Sequence, residues 1–108
     1  MLIGIPKEVK NHEYRVGATP NYVKALVSHG HKVRVQAGAG EKIGFFDLHY
    51  QEAGAQIVAS ACEVYAGDMV IKVKEPQPIE YPLLKEDLIL FCYLHCVMLE
   101  HIYIVIYF

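Results

Sequence analysis

Met69-Val-Ile-Lys-Val-Lys-Glu-Pro76 and Leu88-Ile-Leu-Phe-Cys-Tyr-Leu-His95 decide how this chain folds. Each is a short apolar run rich in β-formers that ends on polar groups, Lys74 and Glu75 in the first and His95 in the second. An apolar run without alternation suits a parallel strand buried on both faces, and in open α/β sheets the chemistry lies just beyond the carboxyl ends of such strands. The connection from Glu75 to Asp87 is about a dozen residues, the least that returns a chain to a parallel neighbour. Lys74 and His95 are therefore expected to emerge side by side.

Upstream, the pattern is strand, helix, strand. Residues 1–5 form an apolar run stopped by Pro6, which removes a ladder donor. Thr19 is a good N-cap and Pro20 a good first helical residue; Val23, Leu26 and Val27 share one helical face, and Gly30 suits a left-handed terminator, so a helix is expected over 20–29. Lys32-Val-Arg-Val-Gln36 alternates with period two and completes a βαβ unit. Asp47 is expected to cap a short helix ended by Gly54, followed by a strand over 56–58. Ser60 is expected to cap another helix over 61–66, with Gly67 as its terminator. This alternation predicts an α/β fold, a mostly parallel sheet flanked by helices in an incomplete doubly wound domain.

Composition narrows the function. A chain of 108 residues holds one small domain, and 10 Lys+Arg against 12 Asp+Glu without a basic stripe favours neither nucleic acid nor an anionic membrane as partner. No charged n-region precedes an apolar segment, and three cysteines, Cys62, Cys92 and Cys96, form no disulfide framework, so a cytoplasmic setting is expected. Gly38-Ala-Gly40 after a strand invites a dinucleotide reading, but the next glycine, Gly44, falls one place late and Phe45-Phe46 gives no helix start. A turn needing positive φ is the better reading. Cys92, His95, Cys96 and His101 lack tetrahedral spacing, so no metal site is expected.

Three side chains are candidates for binding or catalysis. Arg15, in the polar loop after the first strand, offers a fork for a carboxylate, although a solvated surface arginine fits equally. Lys74 ends an apolar strand; its plain alternative is a lysine snorkelling to solvent, and Lys72 shows that a lysine in this run need not be functional. His95 titrates in the range needed for proton transfer and follows a buried strand. Glu75 is a candidate for orienting a lysine.

The segments Ile3-Gly-Ile-Pro-Lys-Glu8, Glu13-Tyr-Arg-Val-Gly-Ala-Thr-Pro20, Gly38-Ala-Gly40, Val73-Lys-Glu-Pro76 and Tyr93-Leu-His95 together resemble the N-terminal, substrate-binding part of bacterial alanine dehydrogenase, within the alanine dehydrogenase and pyridine nucleotide transhydrogenase family. The resemblance covers residues 1–95. It implies an oxidoreductase acting on L-alanine and pyruvate, with Arg15 and Lys74 binding substrate, His95 catalytic, and no role for Lys72. It also implies NAD as cofactor, bound by a separate domain and not by this chain, so that the isolated chain is inactive. The transhydrogenase NAD-binding subunit is the nearer rival, set apart by the Lys-Glu-Pro and Leu-His segments; a non-catalytic interaction module is the other. Residues 96–108 depart from the pattern and read as a divergent tail, the product of a truncated or shifted reading frame. It is apolar and β-branched and too short to span a bilayer, which takes about twenty residues. It is expected to add a strand or helix to the domain or to pair with another copy, self-association being favoured.

Overall fold

The structure is a computed structural model and describes residues 1–92 together with the backbone of residues 103–106. Six strands form one sheet in the order β3-β2-β1-β4-β5-β6, and every neighbouring pair is parallel. They are β1 (Leu2–Ile5), β2 (Lys32–Gln36), β3 (Gln56–Val58), β4 (Met69–Lys72), β5 (Ile89–Cys92) and β6 (Tyr103–Ile106). The chain steps outward from β1 to β3, returns to the other side of β1 as β4, and steps outward again. That reversal between β1 and β4 is a topological switch point, where diverging connections leave a crevice at the carboxyl edge.

Helices cover both faces. On one side α1 (Pro20–Ser28) and α2 (Asp47–Glu52) cover Ile3, Ile5, Val33, Val35 and Ile71, with Val23 and Tyr50 fully buried between the layers. On the other, α3 (Ala61–Tyr65) sets Val64 and Tyr65 against Val58, Val70, Leu88 and Leu90. Burying each such aliphatic side chain stabilises the fold by roughly 1.5–3 kcal/mol. Residue parity along β4 follows from this layering: Ile71 faces the α1 side, and Val70 and Lys72 face the α3 side.

Local chemistry accounts for the boundaries. Thr19 Oγ1 accepts the Tyr22 N–H at 3.1 Å and starts α1; Gly30, at φ +90°, follows its end. Two expected helix signals act differently. Asp47 is the first residue of α2, not its cap, which is Phe46; its Oδ1 accepts the Gly38 N–H at 2.9 Å, and His49 Nδ1 takes the Phe46 N–H at 3.0 Å instead. Gly67 is not among the positive-φ glycines, and it is needed for space, since a Cβ there would lie 2.6 Å from the Leu2 carbonyl oxygen.

β4 stops at Lys72, two residues before Lys74, because the Glu8 carboxylate takes over the next backbone donors. The tail contributes β6, in register with β5 from Ile89↔Tyr103 to Cys92↔Ile106. Of the residues expected to form that tail, 96–102 and 107–108 lie outside the described ones. Among the described residues no helix is long and apolar enough to cross a membrane.

Candidate functional site

Three loops meet at the carboxyl edge beside the switch point. The loop after β1 carries Lys7, Glu8, Glu13 and Arg15; the turn after β2 carries Gly38 and Lys42; the bend after β4 carries Val73 and Lys74. Gly17 is what brings the first loop onto β4. A Cβ at that position would meet the Ile71 carbonyl oxygen at 2.4 Å, so only glycine lets the two backbones touch.

Arg15 and Val73 line one cleft of about 250 Å³ with Val16, Thr19, Ile43 and Phe45. A smaller polar recess beside it is lined by Lys7, Glu8, Glu13, Arg15 and Lys42. The Arg15 side chain is 62% exposed, and its fork grips Glu13: Nη2 donates to Oε1 at 2.8 Å and Nε to Oε2 at 3.1 Å. That contact holds the Glu13 carboxyl below the ordinary carboxylate range, with the Lys74 charge adding a smaller pull in the same direction. Lys74 thus lies within electrostatic reach of the Arg15–Glu13 pair. Arg15 Nη1 and Lys74 Nζ donate to no residue among the described ones, leaving two cationic donors for an incoming anion.

Glu75 does bind a lysine, but the lysine is Lys10, with Nζ 2.7 Å from Oε1; that bond holds the Glu75 carboxyl low. The partner of Glu75 is therefore Lys10 and not Lys74. His95 lies outside the described residues.

The charge that sequence reasoning passed over is Lys72. It is wholly buried, far from snorkelling, and its Nζ lies 3.1 Å from Glu8 Oε1, 3.5 Å from Glu80 Oε1 and 2.7 Å from the Lys74 carbonyl oxygen. Glu80 in turn accepts from the Tyr65 hydroxyl at 2.8 Å. Burial pushes the Glu8 carboxyl up from its ordinary value near 4.5, against the opposing pull of Lys72 and of the Lys74 and Val73 N–H groups. Tyr65 is likewise pushed far up, by burial first and by Glu80 second. A signal was present in the sequence: Lys72 shares strand parity with Val70, so a lysine there enters the core and requires a buried carboxylate.

The glycine turn does not form a phosphate cradle. Gly38 adopts φ +78°, as a turn requires, and its N–H is taken by Asp47. At Gly40 the space for a Cβ is filled, with Phe45 atoms 2.8 Å and the Tyr50 hydroxyl 3.0 Å away, so the turn is closed by its own helix. Among the described residues no three His, Cys, Asp or Glu side chains gather into a metal-binding group.

Comparison with known proteins adds the following. Residues 4–103 match the family model described as alanine dehydrogenase/PNT, N-terminal domain. Alanine dehydrogenase 2 of Staphylococcus aureus strain USA300 is 57% identical over 95 residues, and that of strain Mu50 is 56% identical over the same length; each match covers 88% of this chain and 26% of the relative. The chain thus spans about a quarter of the length of these curated relatives. A solved L-alanine dehydrogenase superimposes with a TM-score of 0.86 at 52% identity, over 88% of this chain and 26% of that one. A transhydrogenase from Sinorhizobium meliloti gives 0.81 at 30% identity, over 87% of this chain and 28% of its own.

Proposed function

The chain belongs to the alanine dehydrogenase and pyridine nucleotide transhydrogenase family, in its N-terminal domain, and from that premise we propose that it is the substrate side of an NAD-dependent alanine dehydrogenase. In this reading the substrate is L-alanine or pyruvate, held at the carboxyl-edge cleft. The observation that carries it is the cleft shared by Arg15 and Val73 beside the β1–β4 switch point, with the charge of the adjoining Lys74 acting on Glu13 there. Arg15 Nη1 and Lys74 Nζ would take the substrate carboxylate and keto oxygen, with Glu13 keeping the guanidinium in plane. His95 is assigned the acid/base role by its place in the family pattern, following β5 as Lys74 follows β4. The higher identity and TM-score of the alanine dehydrogenase than of the transhydrogenase favour this member of the family.

NAD, held by another domain in the family, would supply the acceptor for the hydride that leaves the α-carbon of L-alanine. The described residues do not fit that cofactor, because the glycine turn after β2 is filled by Phe45 and Tyr50. Their part is binding and orientation. The domain proposed runs over residues 1–95, with 96–108 as a divergent tail that adds β6 to the sheet. The setting proposed is the cytoplasm, consistent with Cys62 being a free thiol.

Titrating the uniformly ¹⁵N-labelled chain with pyruvate tests the assignment. Amide shifts should move at Gly17, Val73 and Lys74. Lys74→Met or Arg15→Met should weaken binding by about tenfold or more, the loss expected for one charge-assisted hydrogen bond of about 1.5–3 kcal/mol. Shifts confined to the opposite edge, at Leu2, Lys32 and Asp68, would refute it.

A second reading concerns assembly. β6 is an edge strand, and residues 102–108 carry no charge and no proline. Among the described residues no strand pairs with its outer edge, which is a template for another copy of the chain, so self-association along β6 is proposed as well. Deleting residues 97–108 should shift sedimentation toward monomer; an unchanged monomer before and after deletion would dismiss it.

A further inference from the structure

We infer that Glu8, held by the buried Lys72, is a positioning residue that fixes the Lys74 backbone at the carboxyl edge. The inference rests on the substrate-side reading of the cleft and assigns work to two residues that reading leaves idle. Lys74 lies beyond the last residue of β4, and among the described residues no ladder bond sets its place. Its N–H instead donates to Glu8 Oε1 at 3.1 Å, and the preceding Val73 N–H donates to Oε2 at 3.1 Å. Its carbonyl oxygen accepts from Lys72 Nζ at 2.7 Å, and that same ammonium lies 3.1 Å from Glu8 Oε1.

Both backbone groups of Lys74 are thus tied to one ion pair whose side chains are each only 1% exposed. A surface carboxylate in that place would exchange its bonds with water and let the bend move. The buried one cannot, because water does not reach it and an unmatched buried donor is costly. Glu80, anchored to the Tyr65 hydroxyl and the Gln77 N–H, backs the ammonium from the far side. Glu8 leaves the end of β1 and Lys72 ends β4, so the clamp spans the two strands that flank the switch point. The ammonium of Lys74 then projects from a fixed Cα, which is the requirement for a side chain that must meet a small substrate.

The test uses the full 108-residue chain with Glu8→Gln and Lys72→Met combined. The pair removes one negative and one positive charge, so the buried net charge stays the same and the fold is kept, which circular dichroism verifies. Glutamine has one acceptor oxygen where glutamate has two, so at least one of the two amides loses its partner, and the Lys74 carbonyl loses its donor. Hydrogen exchange at the Val73 or Lys74 amide should quicken about tenfold or more, and pyruvate should bind about tenfold more weakly, while exchange in β1 and β2 is unchanged. Lys10→Ala, which frees Glu75 only, should leave both readouts within about twofold. Unchanged exchange at both amides overturns the inference, and so does faster exchange with undiminished pyruvate affinity. If the parent chain binds no pyruvate yet the variant releases these amides, the clamp stands and the substrate reading falls.

Discussion

Replacing Lys72 with methionine should nearly unfold this protein, and lowering the pH should rescue it. Methionine is close to lysine in length, so the change leaves little cavity and removes chiefly the charge. The ammonium it removes is fully buried and serves Glu8, Glu80 and the Lys74 carbonyl at 3.1, 3.5 and 2.7 Å. Breaking a buried ion pair by deleting one partner costs about 3–5 kcal/mol, because the other charge is stranded. A small domain has about 5–15 kcal/mol of net stability, so the loss consumes a large share of it. With a urea slope of about 1–3 kcal/mol per molar, the unfolding midpoint should fall by roughly 2 M. The stranded Glu8 can escape by taking a proton. Its folded pKa already lies above the ordinary 4.5, and losing Lys72 removes a group that lowers it. A carboxyl with a raised folded pKa binds its proton more tightly in the folded state, so stability is retained at low pH and lost as pH rises from the ordinary value through the folded one. The deficit of the variant should therefore shrink by up to about 1.4 kcal/mol per unit as pH falls through that window. Adding Glu8→Gln should recover most of the stability at pH 7, whereas Lys10→Ala, at the partly exposed Lys10–Glu75 pair, should cost no more than about 1 kcal/mol. Urea melts followed by circular dichroism at pH 5 and 7 decide the matter. A Lys72→Met variant within about 1 kcal/mol of the parent at pH 7, or a deficit that grows on acidification, would refute the reasoning.

Gly4→Ala should abolish folding, since its Cβ would sit 2.1 Å from the Val64 carbonyl oxygen of α3; a cooperative melt near the parental midpoint would contradict this. In an alkaline titration followed by tyrosine absorbance, Tyr50 should ionise only near its raised value of about 12 and Tyr65 later still, both pushed up by burial; complete titration of all eight tyrosines near pH 10 with the fold intact would show that neither ring is buried as described. Thr19→Ala should cost about 1 kcal/mol through loss of the α1 cap, read from the same urea melts, and Thr19→Ser should restore it. The purified polypeptide, given L-alanine and NAD, should form no NADH; formation that disappears on Lys74→Ala would show that a nicotinamide binds after all.

Much of this protein is written in local pattern. Thr19-Pro20 and Gly30 bracket α1, the alternation in Lys32–Gln36 marks β2, and the two continuous apolar runs mark β4 and β5 as parallel neighbours. These features depend on each residue's own backbone preference and on near-neighbour periodicity, which a sequence displays directly. The placement of Lys74 on the carboxyl edge followed from the same logic.

What the tertiary structure decided was which charges go inside and what they hold. Glu8 and Lys72 are 64 positions apart and meet only because β1 and β4 are adjacent in the sheet, a consequence of where the chain reverses. The same long-range adjacency paired Glu75 with Lys10 and made Gly67 a matter of clearance from Leu2, while the closing of the turn after β2 made Asp47 the acceptor for Gly38 instead of a helix cap. A buried charge must find its counterpart wherever the fold brings one, and that partner is set by packing across strands and not by any spacing along the chain.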